Sequence, residues 1–81
     1  MPISPTVLKY LHDRASEISA PMPEKQDDLY ASGILDSFEL MSFVSLLEKE
    51  HQLSIPESEI ELDRFRTISA VEEFIGNKTV N

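Results

Sequence analysis

The sequence predicts an all-α fold, an antiparallel bundle of three main helices and one short helix. Three observations support this prediction. Apolar residues recur at helical spacing in three separate segments. No segment shows the strict alternation of apolar and polar residues that marks a half-buried strand. Proline and glycine stand between the periodic segments, where they interrupt or end helices.

The first helix is predicted over residues 4–19. Ser4 can cap it, and Pro5 suits the first helical position. Tyr10 borders the apolar stripe that helical spacing predicts, which consists of Val7, Leu8, Leu11, Ala15 and Ile18. Most charged residues fall on the opposite side, namely Lys9, Asp13, Arg14 and Glu17.

A long connection over residues 20–35 follows this helix. Pro21 and Pro23 oppose helix continuation. Because a connection of this length in a small domain is usually ordered by packing or functional, we expect apolar residues to pin it to the core: Leu29, Tyr30, Ile34 and Leu35. Gly33 is expected to take a backbone angle that larger residues adopt only with strain.

The strongest helical pattern covers residues 37–51. Its core-facing stripe consists of Leu40, Phe43, Val44 and Leu47. A second row at helical spacing consists of Phe38, Met41 and Ser45. The apolar surface is therefore wider than one core-facing stripe requires, and we expect part of it to cover the loop or a partner.

The remaining segment predicts a linker, a short helix and a last helix. Pro56 blocks helix formation in the linker, whose expected core anchors are Leu53 and Ile55. Residues 57–65 can form a short helix or a single turn. Thr67 can then cap a helix over residues 68–75. One face of this helix carries Ile68, Val71, Phe74 and Ile75, and the helix is expected to end at Gly76 and Asn77.

Size and composition restrict the function. The chain has 81 residues, which predicts one domain over residues 1–81 with a modest core. Its formal net charge of −8 makes nucleic acid an unexpected partner and favours basic partner surfaces. The chain has no cysteine, and it has neither a leader pattern nor an apolar run of about 20 residues. We expect a cytoplasmic monomer that is not an integral membrane protein.

The sequence does not support catalysis by Ser37 or metal binding. Ser37 lies in LDSFE rather than in a nucleophile elbow, and its candidate bases are His12 and His51. Fourteen residues of helix separate His51 from Ser37, which is about 20 Å at 1.5 Å per residue. Asp27 and Asp28 begin no EF-hand pattern, and neither histidine has a paired-ligand spacing. We therefore predict neither catalytic residues nor a metal site.

The stretch D-S-F-E at residues 36–39 has the pattern of a helix capping box. One interpretation is therefore structural: the chain is an unmodified helical adaptor in which Ser37 is only a helix cap. However, one cap is enough for a helix. If Asp36 is the cap, the Ser37 hydroxyl stays free at the first turn, where unpaired N–H groups and the helix dipole favour a phosphate.

The order of the motifs resembles that of acyl carrier and peptidyl carrier proteins. The resemblance rests on DDLYASGILDSFELMSFVSLLEKEHQLSIP and FRTISAVEEFI, which together cover roughly residues 27–75. The shared features are a loop ending in glycine, an apolar pair, Asp-Ser and a hydrophobic residue. A long second helix, an apolar-x-Pro linker and a threonine-capped last helix follow.

This resemblance implies a carrier without catalytic activity of its own. Ser37 would be the attachment point of 4′-phosphopantetheine, which a phosphopantetheinyl transferase takes from coenzyme A. The transferase would activate the hydroxyl, so the chain needs no base. The thiol of the arm would hold an acyl or aminoacyl group as a thioester. The other partners implied are an acyl- or aminoacyl-adenylating ligase and a downstream transferase or synthase.

The resemblance also suggests roles for neighbouring residues. Asp36 would help the transferase recognise the site. Phe38 and Met41 would face partner enzymes, although packing against the core or loop stays open for Met41. Phe65 would anchor the short third helix. The basic residues at a possible partner rim would be Arg64 and Arg66.

Two features distinguish the chain from carriers of fatty acid synthesis. Those carriers resemble D-S-L followed by repeated acids, whereas this chain has L-D-S-F, with Ser42 and Lys49 where acids often occur. The form G-I-L-D-S looks more like D-alanine carriers, aminoacyl carriers and carriers of specialised pathways. The absence of a flanking domain suggests a freestanding protein.

Overall fold

Three α-helices joined by a long ordered loop and two 3₁₀ turns make up the fold. A computed structural model describes residues 2–79, with α1 at Pro5–Glu17, α2 at Ser37–His51 and α3 at Ile68–Thr79. The predicted short helix is instead a pair of 3₁₀ turns, Glu57–Glu59 and Leu62–Phe65. No strand occurs between residues 2 and 79, and the predicted all-α class is confirmed. The ends of the predicted domain lie outside the described residues: Met1, Val80 and Asn81.

The first helix is shorter than predicted at its C-terminal end. Ser4 caps it as expected, because its Oγ accepts the Val7 N–H at 3.2 Å. The helix stops at Glu17, and Ser19 takes a left-handed conformation with φ 57°. The buried stripe is therefore reduced to Val7, Leu11 and Ala15.

The prediction that Leu8 and Ile18 belong to the core is wrong, because these side chains are 36% and 38% exposed. Ile18 lies beyond the last helical residue and so leaves the stripe. Its Cδ1 instead covers Gly33, 3.5 Å from where a β-carbon on that glycine would lie. Leu8 lies about 100° around the helix from the fully buried Val7, at the border of the buried stripe.

The first two helices pack in antiparallel orientation. At one end, the Ser4 N–H before α1 donates to Nε2 of His51, the last residue of α2, at 3.2 Å. At the other end, the hydroxyl of Tyr10 donates to the carboxylate of Glu39, in the first turn of α2. The start of α2 therefore lies beside the middle of α1.

The core is a single cluster to which the loop and the linker contribute. As predicted, the loop residues Leu29, Ile34 and Leu35 are buried, and Tyr30 is half-buried. The linker contributes Ile55, with Leu53 partly buried against the cluster. A row of rings joins α1, α2, the second 3₁₀ turn and α3, with centroid separations of 5.9, 6.5 and 5.4 Å from Tyr10 through Phe43 and Phe65 to Phe74.

The loop after α1 is fixed by hydrogen bonds to the start of α3. The Leu29 N–H donates to the Arg66 carbonyl at 2.8 Å, and the Ser69 N–H donates to the Lys25 carbonyl at 3.0 Å. Near the end of the loop, Gly33 has φ 86°, as expected for a position that needs glycine. The order expected for this long connection is therefore present.

The last helix continues past its predicted end. Thr67 caps it as expected, since its Oγ1 accepts the Ala70 N–H at 3.0 Å. The prediction that the helix ends at Gly76 and Asn77 is wrong, because α3 runs to Thr79. A glycine inside a helix costs only about 1 kcal/mol, and the last turn is held by Lys78, whose Nζ lies 2.9 Å from Glu59 Oε1. Within residues 2–79, no helix is long and apolar enough to cross a membrane.

Candidate functional site

Among residues 2–79, Asp36 is the residue that caps the start of α2. Asp36 has an extended backbone, with φ −139° and ψ −175°, so its side chain turns back over the first turn. Its Oδ1 accepts the N–H of Phe38 at 3.0 Å and that of Glu39 at 2.7 Å. Its carbonyl accepts the Leu40 N–H at 2.8 Å, the first bond of the helix. Asp36 therefore fulfils every cap function, and Ser37 is the first helical residue rather than the cap.

Ser37 presents an accessible hydroxyl at this end of the bundle. The residue is exposed, and no other residue in the range 2–79 forms a hydrogen bond with its side chain. His51 lies at the opposite end of α2 and accepts a hydrogen bond from Ser4. His12 is exposed on α1. Within this range, no serine–base pair therefore forms at Ser37.

The second half of the predicted capping box does not form. The Glu39 carboxylate accepts a hydrogen bond from the Tyr10 hydroxyl, and one of its oxygens lies 3.7 Å from Arg14 Nε. The Arg14 and Glu39 side chains are only 15% and 22% exposed. Burial, followed by the hydrogen bond to Glu39, raises the pKa of the Tyr10 hydroxyl above its ordinary value. Glu39 thus braces α2 against α1 instead of closing the cap.

Arg14 connects this cluster to the loop that precedes Ser37. Its Nε donates to the Ile34 carbonyl at 3.1 Å, and its Nη2 donates to the Gly33 carbonyl at 3.3 Å. The prediction that Arg14 belongs to the solvent-facing side of α1 is therefore wrong. The sequence feature that indicated otherwise is the four-residue spacing of Tyr10 and Arg14, which places both side chains on one side of the helix. Their partners come from other segments, so the spacing alone could not identify them.

The expected phosphate site at the first turn of α2 is also changed by this geometry. Unpaired N–H groups were expected at this turn, but two of them, those of Phe38 and Glu39, donate to Asp36. A phosphate on Ser37 would meet the helix dipole and a neighbouring carboxylate, with two of the first-turn donors already occupied. Nevertheless, the site fits a covalent group, because the hydroxyl is exposed and unbonded among the described residues.

Residues 9–75 match the protein family described as the phosphopantetheine attachment site, PP-binding. The chain belongs to the phosphopantetheine-binding family. No curated protein and no solved structure matches it. Proteins of this family carry a covalently attached 4′-phosphopantetheine, and the chain is accordingly a carrier of this arm. Such carrier domains are generally non-catalytic and interact with a phosphopantetheinyl transferase and biosynthetic enzymes.

The carrier domain exposes two large apolar side chains on α2. Phe38 is 79% exposed and Met41 is 52% exposed. Ser45, the third member of the row, is exposed as well. The row therefore does not belong to the core. On the second 3₁₀ turn, Leu62 is 56% exposed.

The two predicted rim arginines of the carrier domain have partners within the chain. Arg64 lies 3.9 Å from Glu59 and 3.7 Å from Glu61, and its guanidinium stands 5.4 Å from the centroid of the Phe74 ring. Its side chain remains 38% exposed. A role in partner recognition stays a prediction for Arg64.

Arg66 joins the second 3₁₀ turn to the loop. It lies 3.1 Å from Asp28 and 3.3 Å from Asp63. Asp28 also accepts the N–H groups of Tyr30 and Ala31 at 2.9 and 3.0 Å. The Ala31 hydrogen bond, followed by the Arg66 hydrogen bond, lowers the pKa of Asp28 below its ordinary value. Asp28 thus organises the loop.

Proposed function

We propose that Ser37 bears the 4′-phosphopantetheine of this carrier, and that the arm holds an acyl or aminoacyl group as a thioester for delivery to partner enzymes. The proposal rests on one observation, that Asp36 and Ser37 have different roles at the start of α2. Asp36 makes both capping hydrogen bonds, whereas the exposed Ser37 hydroxyl makes none with the described residues. A hydroxyl without a structural role is available to another enzyme.

Modification by a separate transferase agrees with the surroundings of Ser37. A serine hydroxyl is a weak nucleophile unless a base removes its proton. The described residues place no base on Ser37, so the transferase has to supply one. The same reasoning disfavours the adaptor alternative, in which Ser37 serves only as the cap, because Asp36 occupies the cap position.

We propose that partner enzymes recognise the surface around Ser37 through Asp36, Phe38 and Met41. All three are exposed, and the two apolar side chains lie on the same helix as the attachment site. Arg64 is proposed as a more distant contact through the exposed part of its side chain. We also propose that the carrier acts as a monomer, because it has to visit several enzymes in turn.

We propose that this chain is of the D-alanine, aminoacyl or specialised-pathway type of carrier rather than a carrier of fatty acid synthesis. The supporting features are the stretch G-I-L-D-S-F and the character of α2. On that helix, Ser42 and Lys49 are exposed at two positions where carriers of fatty acid synthesis often have acidic residues. An adenylating ligase is the enzyme class that would load such a carrier.

Intact mass spectrometry tests the attachment site. The protein is incubated with coenzyme A and a broad-specificity phosphopantetheinyl transferase. We expect the wild type to gain the mass of one phosphopantetheinyl group and Ser37→Ala to gain none. Ser42→Ala is the matched control, because Ser42 is another exposed serine on α2, and this variant should be modified like the wild type. Modification of Ser37→Ala, or no gain by the wild type, would refute the proposal.

A further inference from the structure

We propose that Arg14 is a positioning residue for the modification of Ser37. From α1, its guanidinium holds the backbone of Gly33 and Ile34 and thereby fixes the place at which the Ser37 hydroxyl begins α2. This inference rests on the proposed attachment at Ser37.

The first step of the argument is the contact that Arg14 makes. Its guanidinium donates to two consecutive carbonyl groups, those of Ile34 and Gly33, at 3.1 and 3.3 Å. Its charge is balanced by Glu39, which the Tyr10 hydroxyl holds from the other side. The Arg14 side chain is only 15% exposed, and its bond to the Ile34 carbonyl is partly buried, whereas the bond to the Gly33 carbonyl is exposed. A planar guanidinium with several donors suits two adjacent acceptors better than an ammonium group does.

The second step concerns the hydrogen bonds that the loop makes within itself. The Gly33 N–H donates to the Tyr30 carbonyl at 3.1 Å, and the Leu35 N–H donates to the Leu29 carbonyl at 2.9 Å. These bonds close the loop on itself but do not join it to a helix. The hydrogen bonds from Arg14 to the Gly33 and Ile34 carbonyls join this turn to α1.

The third step is the short path from this turn to the hydroxyl. Two residues separate Ile34 from Ser37, so their Cα atoms are at most about 11 Å apart. Leu35 is buried, and Asp36 is held by its capping bonds. A shift of the turn is therefore transmitted to Ser37 with little slack.

The chemical consequence concerns the rate of transfer within the complex. The Ser37 oxygen forms a bond to the phosphorus atom of coenzyme A that bears pantetheine, the pyrophosphate P–O bond breaks to release adenosine 3′,5′-bisphosphate, and the hydroxyl proton passes to a base of the transferase. This attack needs a near-attack distance, and a misplacement of 1 Å can cost about 100-fold in rate. The Phe38 and Met41 side chains are 79% and 52% exposed, and they make no hydrogen bond or ion pair with Arg14, so the apolar surface for binding the transferase should persist without it. Loss of Arg14 should therefore lower kcat for modification and leave KM almost unchanged.

The experiment compares Arg14→Gln and Arg14→Lys with Lys9→Gln. Lys9 lies on the same helix with its side chain 74% exposed, so its variant loses the same charge and leaves the loop contacts intact. Each variant is assayed for phosphopantetheinyl transfer from coenzyme A, for thermal unfolding and for amide hydrogen exchange. We expect Arg14→Gln to lose at least about 10-fold in kcat with KM within about 3-fold. Arg14→Lys should lie between Arg14→Gln and the wild type, and Lys9→Gln should match the wild type.

Hydrogen exchange provides a readout that does not need the reaction. In Arg14→Gln, exchange should accelerate at residues 33–38 and stay unchanged in α3. The inference is overturned if kcat and local exchange equal those of the wild type, or if only KM changes. It is also overturned if both Arg14 variants are unfolded at the assay temperature, because Arg14 then acts through stability alone. A wild type that is not modified refutes the attachment at Ser37 instead, and the exchange result still decides whether Arg14 holds the turn.

Discussion

Replacing Asp36 and Ser37 one at a time separates the cap of α2 from the attachment point. Asp36→Ala removes the oxygen that accepts two backbone N–H groups at 3.0 and 2.7 Å. Loss of such a cap costs about 1–2 kcal/mol, including the loss of the favourable charge at the helix N-terminus. Ser37→Ala removes a hydroxyl that makes no hydrogen bond with the described residues, so the expected change is within about 0.5 kcal/mol.

These energies correspond to measurable shifts in melting temperature. At roughly 2.1 cal/mol/K per residue, unfolding of an 81-residue chain has an entropy of about 0.17 kcal/mol/K. Asp36→Ala should therefore lower Tm by roughly 6–12 °C, and Ser37→Ala should change it by no more than about 3 °C. Thermal unfolding followed by circular dichroism, with urea unfolding as a second measurement, can resolve this difference.

Asp36→Asn is the matched control for the cap. The amide oxygen of asparagine can still accept both N–H groups, so this variant should lose only the charge–dipole part, about 0.3–1 kcal/mol, and less at high salt. If Ser37→Ala proves as destabilising as Asp36→Ala, then Ser37 is part of the cap. That result would refute the assignment of the cap to Asp36 and of a free hydroxyl to Ser37, on which the proposed attachment rests.

Three further predictions concern the core and the loop. Phe65→Ala should lower the unfolding free energy measured with urea by about 3–5 kcal/mol, because Phe65 is fully buried between two rings. As a control, Phe38→Ala at a 79% exposed position should lower it by less than about 0.5 kcal/mol. Because the pKa of Asp28 is lowered in the folded state, chiefly by the N–H of Ala31, its stabilising contribution is fully present above about pH 4 and is lost as the pH falls through the folded-state pKa. The difference in unfolding free energy between wild type and Asp28→Asn should therefore shrink from pH 7 towards pH 3, and a constant difference would contradict this assignment. Gly33→Ala should cost about 1–2 kcal/mol because φ is 86°, although the new methyl group has room; an unchanged Tm would show that the loop relaxes.

Much of the fold was predictable because it depends on local sequence. Helical spacing identified the buried stripe of α2, and side-chain chemistry identified Ser4 and Thr67 as caps. Such signals act over three or four residues, the distance within which a helix makes its own bonds. The end of α3 was not predictable in the same way, because Lys78 is held by Glu59 from another segment.

The sequence by itself determined the order of helices, the buried stripe of α2 and the adjacent Asp and Ser at its start, together with the family resemblance that the match over residues 9–75 supports. Only the tertiary structure decided how the residues around Ser37 are used. It assigned the cap to Asp36, turned Glu39 towards Tyr10 and placed the Arg14 guanidinium on the Gly33 and Ile34 carbonyls. The physical reason for the Glu39 and Arg14 contacts is that they join α1 to the loop and to α2, across separations of 19 to 29 residues. Periodicity within one helix contains no information about such partners.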